Sequence, residues 1–90
     1  MSAVDWPDAA SRLLKAELTR AGITFARLAA RLQRMGVDET ESSVKNKLHR
    51  GTFSAVFLMQ CLTAIERDEV DVASVLPRGL PRGSALDKSD

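Results

Sequence analysis

Between Ser42 and Arg50 the chain sets two serines, two lysines, an asparagine, a histidine and an arginine around only two apolar residues, Val44 and Leu48. These are groups that read and hold nucleic acid. Asparagine bonds adenine bidentately, arginine bonds guanine, and serine serves base or phosphate. Lysine suits phosphates, which position a protein without specifying sequence. If the stretch is helical, Val44 and Leu48 share one face and Asn46 lies nearly opposite. Ser42, Ser43, Asn46, His49 and Arg50 then become candidate base readers, flanked by Lys45 and Lys47 as candidate phosphate contacts. Arg27, Arg31 and Arg34 follow one another at helical spacing and add a basic stripe. That stripe is either a solvated face or a second set of phosphate contacts. Against DNA stand Asp38, Glu39 and Glu41, which would repel phosphates unless turned away.

Other chemistries find little support. His49 is the sole histidine and Cys61 the sole cysteine. Cys61 falls in an apolar segment where an inert core thiol is expected. No second histidine supports a metal site, and no Gly-rich phosphate loop or nucleophile motif is present. The expectation is a chain with no catalytic residues, no metal and no cofactor. A single cysteine excludes an intramolecular disulfide. No apolar run approaches membrane-spanning length, and the N-terminus lacks the features of a signal peptide. A cytoplasmic location is the default expectation, with no membrane partner.

The net charge is +1, but its distribution is uneven. Residues 12–50 hold nine Lys/Arg against four Asp/Glu, a net of +5, while residues 1–11 and 66–90 each contribute −2. A basic centre between acidic ends is compatible with phosphate binding.

The elements that must position these groups are short helices. With 44% apolar and 28% charged residues in a 90-residue chain, the composition is that of one small globular domain. Trp6-Pro7-Asp8 marks a helix start. Trp6, Ala10, Leu13, Leu14, Leu18 and Ala21 form its apolar face, Trp6 being expected as a core cap, and Gly22 stops it. Thr24 caps a second helix, with Ile23 packing on Leu28 as a staple and Phe25, Leu28, Ala29 and Leu32 inward. Met35-Gly36-Val37 turns the chain. Asp38 or Thr40 caps the third helix, and Asp38 with Glu41 has capping-box spacing. Gly51 ends it and Ser54 caps a fourth. Asp71 could cap a short fifth helix over 72–76, ended by Pro77. Residues 77–90, with two Pro-Arg-Gly steps, read as a disordered tail.

The fourth helix, Ala55 to Glu66, is apolar almost all round, broken by Gln60 and Thr63. Such a helix is buried on most sides. In so small a domain its spare face points to a second copy, with Val56, Phe57, Met59 and Gln60 as the expected dimer interface.

The segments LLKAELTRAGITFARLAARL and CLTAIERDEVDVASVL resemble the Cro and lambda-repressor class of helix-turn-helix domains over roughly residues 10–76. The turn GVDETES is about three residues longer than in that class, and Val44/Leu48 stand four apart rather than three. Its base-reading positions are therefore not carried over. Trp6, Thr24 to Ala29, Asn46 to Ala55 and Gln60 to Leu62 are more closely similar to a family of small bacterial proteins of unknown function. That resemblance implies a fold and a bacterial origin, and no established activity.

The fold expected is all-α: a compact four- to five-helix domain of Cro/lambda-repressor-like helix-turn-helix type over residues 6–76. The function expected is a homodimeric regulator of transcription that binds double-stranded DNA sequence-specifically. The alternative is a helical adaptor that binds another regulator without touching DNA. A gel shift with random-sequence DNA at low salt separates them. The DNA reading predicts binding at about 10⁻⁴–10⁻⁶ M. No shift at tens of micromolar protein would favour the adaptor.

Overall fold

Each of the four helices among the described residues starts on a side-chain oxygen that accepts from a backbone N–H three residues on. The computed structural model describes residues 4–79. Asp5 opens α1 (Trp6–Ala21), Thr24 opens α2 (Phe25–Arg34), Thr40 opens α3 (Glu41–Arg50) and Ser54 opens α4 (Ala55–Ala64). The capping bonds run from the N–H groups of Asp8, Arg27, Ser43 and Phe57 at 2.9–3.2 Å. Each cap satisfies a donor that the helix itself leaves open, worth roughly 1 kcal/mol. The fold is all-α, with no strand among the described residues.

The four helices close around a small core. Leu14 and Leu18 of α1, Leu28, Ala29 and Leu32 of α2, Val44 and Leu48 of α3, and Phe57, Cys61 and Ala64 of α4 are buried together, with Ile65 just beyond α4. Ile23 and Phe25 pack partly buried against them, as the staple at the start of α2 requires. Helix α3 lies against both α1 and α2, and α2 also packs on α4. Burying each large aliphatic side chain contributes about 1.5–3 kcal/mol, most of it offset by chain entropy.

The ends of α1 and α3 are glycines in the left-handed region, Gly22 at φ 69° and Gly51 at φ 68°. They differ in surroundings. A β-carbon on Gly22 would meet nothing within 4 Å, whereas one on Gly51 would lie 1.7 Å from the Pro7 carbonyl oxygen. The end of α3 therefore sits directly on the first turn of α1.

Three expectations are corrected. Trp6 is 54% exposed and does not cap the core. It stands at the first position of α1, where the backbone of Gly51 covers the adjacent Pro7 and Ala9 carries the burial. The capping box of α3 is Thr40 with Ser43, not Asp38 with Glu41, because Thr40 is the residue with extended backbone at the helix start. The fifth helix is absent. Asp71 accepts from the Ser74 N–H at 3.3 Å, and the N–H groups of Val75 and Leu76 both reach the Val72 carbonyl, making a single turn. One turn before Pro77 does not recover the cost of helix nucleation. Val75 is buried, but Val72 and Leu76 remain exposed. The tail expected over 77–90 lies outside the described residues from residue 80 onward.

Replacing Gly51 by alanine is expected to cost roughly 3 kcal/mol or more, because left-handed strain adds to a backbone collision that no side-chain rotation relieves. Gly22→Ala should cost only about 1 kcal/mol, the strain alone. Urea denaturation of the two variants measures the difference, and equal losses would remove the close approach as a constraint.

Candidate nucleic-acid interface

Helix α3 buries only Val44 and Leu48, so most of its circumference faces outward. Glu41, Ser42, Lys45, Asn46, Lys47, His49 and Arg50 are exposed and Ser43 is half-buried. The helix is held at three points: its two apolar residues, its Thr40 cap and the Gly51 contact with α1. Its outer face is thus presented on a fixed support.

The expected base readers separate into two groups. Ser42, Asn46 and Arg50 are exposed and make no side-chain hydrogen bond within the described residues. Ser43 belongs to the helix cap. Its hydroxyl accepts from the Thr40 N–H at 2.8 Å and donates to Glu39 Oε1 at 2.6 Å, which occupies it structurally. His49 lies between the helices. Lys15 Nζ of α1 sits 2.8 Å from its Nδ1, and Phe25 of α2 meets its ring edge-on at 6.1 Å between centroids. These two contacts, one from α1 and one from α2, fix the orientation of the ring.

The expected phosphate contacts divide likewise. Arg27, Arg34 and Lys45 are exposed. Arg31 is half-buried, and its guanidinium donates to the Ala64 carbonyl at 3.0 Å. It satisfies an open carbonyl at the end of α4, where positive charge is also favoured. Arg34 shares a surface depression with Arg31, Met35, Thr63 and Glu66, so this part of the arginine stripe runs beside the end of α4. Lys47 bonds Glu39 and lies over the Phe57 ring, 4.9 Å from its centroid.

Glu39 bears on the objection from acidity. It is buried, with Lys47 and Ser43 on its carboxylate. Burial pushes its carboxyl up, but the bonds from Lys47 and Ser43 outweigh that and hold it below the usual value. Its charge is therefore spent inside the domain. Asp38 and Glu41 remain exposed at the start of α3.

A second buried carboxylate was not singled out in the sequence. Glu17 is fully buried. Its oxygens accept from Arg67 at 2.9 Å, from Arg20 one turn along α1, and from the Asp71 N–H at 3.3 Å. Desolvation alone pushes this carboxyl up, but the Asp71 N–H, Arg67 and Arg20 together hold it below its ordinary value. The signal was present: Glu17 falls between Leu14 and Leu18 on the inner face of α1. Apart from Arg20, its partners Arg67 and Asp71 lie some fifty residues away, where no spacing rule reaches.

Of the expected interface residues on α4, Val56 and Met59 are 65% and 64% exposed. Gln60 is half-buried. Phe57 is a correction. It is buried at 4% exposure, packed on Phe53 and under Lys47, because it is the α4 residue turned toward α3. Cys61 is fully buried, and desolvation followed by the charge of Glu39 pushes its thiol up to about 12. The thiol is thus held in its protonated form at neutral pH. No group of three or more potential metal ligands occurs among the described residues, and no helix among them is long and apolar enough to cross a membrane.

A family model described as a domain of unknown function, DUF6471, matches residues 6–70. Its span runs from the start of α1 past the end of α4 and includes Glu17, Arg67 and all of α3. No curated protein and no solved structure matches the chain.

Glu17→Gln is expected to destabilise the domain by about 1–3 kcal/mol at neutral pH; Arg20 and Arg67 reach solvent, so the charges left behind are partly hydrated. A carboxyl held below its ordinary value of 4.5 stabilises the fold above that value and loses the contribution as pH falls through the folded value. The gap between wild type and variant should therefore close on acidification below about pH 4.5. A gap that widens on acidification would contradict the assignment. Arg31→Ala should lower the melting temperature through lost capping of α4, an effect visible without any DNA.

Proposed function

Starting from a chain that belongs to the DUF6471 family of domains of unknown function, we propose a sequence-specific, double-stranded DNA-binding regulator of transcription that acts as a homodimer. Helices α2 and α3 serve as the helix-turn-helix, with α3 in the major groove. The observation that carries this reading is the outer face of α3. Ser42, Asn46, His49 and Arg50 stand exposed on it, and the first, second and fourth are uncommitted. A helix with two buried residues and this set of bidentate and single donors is suited to base edges. Lys45 and Arg27 supply exposed positive charge for phosphate. Glu39, the most awkward of the acidic residues, is neutralised by Lys47.

Double-stranded DNA is favoured over single strands because stacking surface is scarce. Phe57 is buried, Phe25 and Phe53 are half-buried, and Trp6 alone among the aromatics is exposed. One specific observation supports a second reading, a protein adaptor: Val56 and Met59 project from α4 while Asp38 and Glu41 stay exposed beside α3. In that case α4 carries the partner and α3 carries none.

Selection from a random DNA pool, repeated with variants, tests the proposal. Asn46→Ala should relax preference at one position by about 1–3 kcal/mol. Lys45→Ala should weaken all sequences alike and lower the salt slope by about one unit. A uniform loss on Asn46→Ala would remove its base-reading role, and no enrichment with the wild type would remove the DNA reading.

A further inference from the structure

The apolar face of α4 has an arrangement of charge that specifies how a second copy would meet it. From Ser54 to Ile65 the chain carries no charged residue, although 28% of all residues are charged. Ala55, Val56, Met59 and Thr63 are exposed along one stripe, with Gln60 and Leu62 half-buried beside it. The two ends of this stripe differ. At its C-terminal end Glu66 and Asp68 are exposed and border a depression with Met59, Leu62, Thr63 and Arg67, whose guanidinium is paired with buried Glu17. At its N-terminal end lie the first N–H groups of α4, capped by Ser54; the nearest cations, Arg50 and Lys47, line a depression with Phe57 on the α3 side of the helix. One end is acidic. The other is the positive end of a helix.

Resting on the homodimer proposed above, we propose that α4 pairs with α4 of a second copy in antiparallel orientation, about a two-fold axis beside Met59. The residues exposed from 55 to 63 centre on position 59, which sets the register. Met59 then meets Met59 of the second copy, Ala55 meets Thr63, and Val56 meets Leu62. The end of α4 followed by Glu66 and Asp68 then lies at the N-terminus of the second α4. A parallel pairing would instead set Glu66 against Glu66 and align the two helix dipoles side by side. Both terms are repulsive, and the antiparallel pairing reverses both. A ten-residue helix is only about 15 Å long. Its one face falls well short of the roughly 800 Å² per partner of a standard stable interface. The pairing is therefore weak in free solution and depends on concentration, and two half-sites on one DNA would reinforce it.

Cysteine cross-linking of the full chain, without DNA, tests the geometry. Met59→Cys should form a disulfide with itself, since the axis brings the two β-carbons together. Ala55→Cys and Thr63→Cys should cross-link only when mixed, because like positions are about 12 Å apart across the axis. Buried Cys61 stays out of the reaction. Circular dichroism confirms that the substituted residues, all exposed, leave the fold intact. Cross-linking of either single variant with itself, as efficient as in the mixture, would overturn the antiparallel register. Failure of Met59→Cys to cross-link, together with a monomeric mass at the highest soluble concentration, would overturn the pairing. In sedimentation, Met59→Asp should weaken association roughly tenfold or more. Glu66→Lys with Asp68→Lys should weaken it too. Monomeric Met59→Asp should still bind random DNA at low salt. Loss of pairing with retained DNA binding separates this proposal from the DNA reading, and pairing without DNA binding supports this one and removes the other.

Discussion

The end of α3 rests on the first turn of α1 with no room for a side chain between them. Gly51 takes a left-handed conformation that ends the helix, and at the same point a β-carbon would collide with the Pro7 carbonyl. Two demands, a permissive φ and a missing side chain, thus meet in one residue. The contact sets the distance between α1 and α3, and so the position from which the outer face of α3 is offered. Helix α3 has only Val44 and Leu48 to hold it by burial. A fixed end and a side-chain cap at its start supply what a two-residue apolar stripe leaves undetermined.

Around this contact the domain uses buried carboxylates to join distant parts of the chain. Glu17 gathers Arg20, Arg67 and the Asp71 N–H, and so ties the segment after α4 onto α1. Glu39 gathers Lys47 and Ser43, tying the loop before α3 to its last turn. No buried side-chain polar atom among the described residues lacks a partner. Satisfied networks of this kind add less net stability than their short distances suggest, since desolvation opposes them. Their value lies in specifying one arrangement: each carboxylate is costly to bury anywhere else. In a small core that scarcely exceeds its entropy cost, such specification matters more than it would in a larger domain.

The same economy explains why basic residues on one chain have different fates. Arg31 and Lys47 look on a helical wheel like Arg27 and Lys45. In the fold, Arg31 closes the end of α4 and Lys47 neutralises Glu39, while Arg27 and Lys45 stay exposed. A cation near an open carbonyl or a buried carboxylate gains more there than it does in water. What remains outward on α3 is a shorter list than charge counting suggests, and a cleaner one. The apolar face of α4 is trimmed similarly: Phe57 turns inward, leaving Val56 and Met59 exposed.

Local rules carried much of this protein. Helix starts at Thr24 and Ser54, stops at Gly22 and Gly51, the inward sets of α2 and α3 and an all-α domain were legible in the sequence. They depend on neighbours within about one turn, where capping and periodicity act. The fifth helix failed because Pro77 leaves room for a single turn, a matter of nucleation rather than pattern. The exposure of Trp6, the burial of Glu17 and Glu39, and the binding of Arg31 to Ala64 were decided only by tertiary structure. Three of these turn on a partner that chain spacing does not reveal: Gly51 beside Pro7, Arg67 fifty residues from Glu17, Ala64 thirty-three from Arg31. A side chain's type states what it can bond. Which partner it meets, and whether it remains free to meet a ligand, is determined when the helices pack and water is excluded from between them.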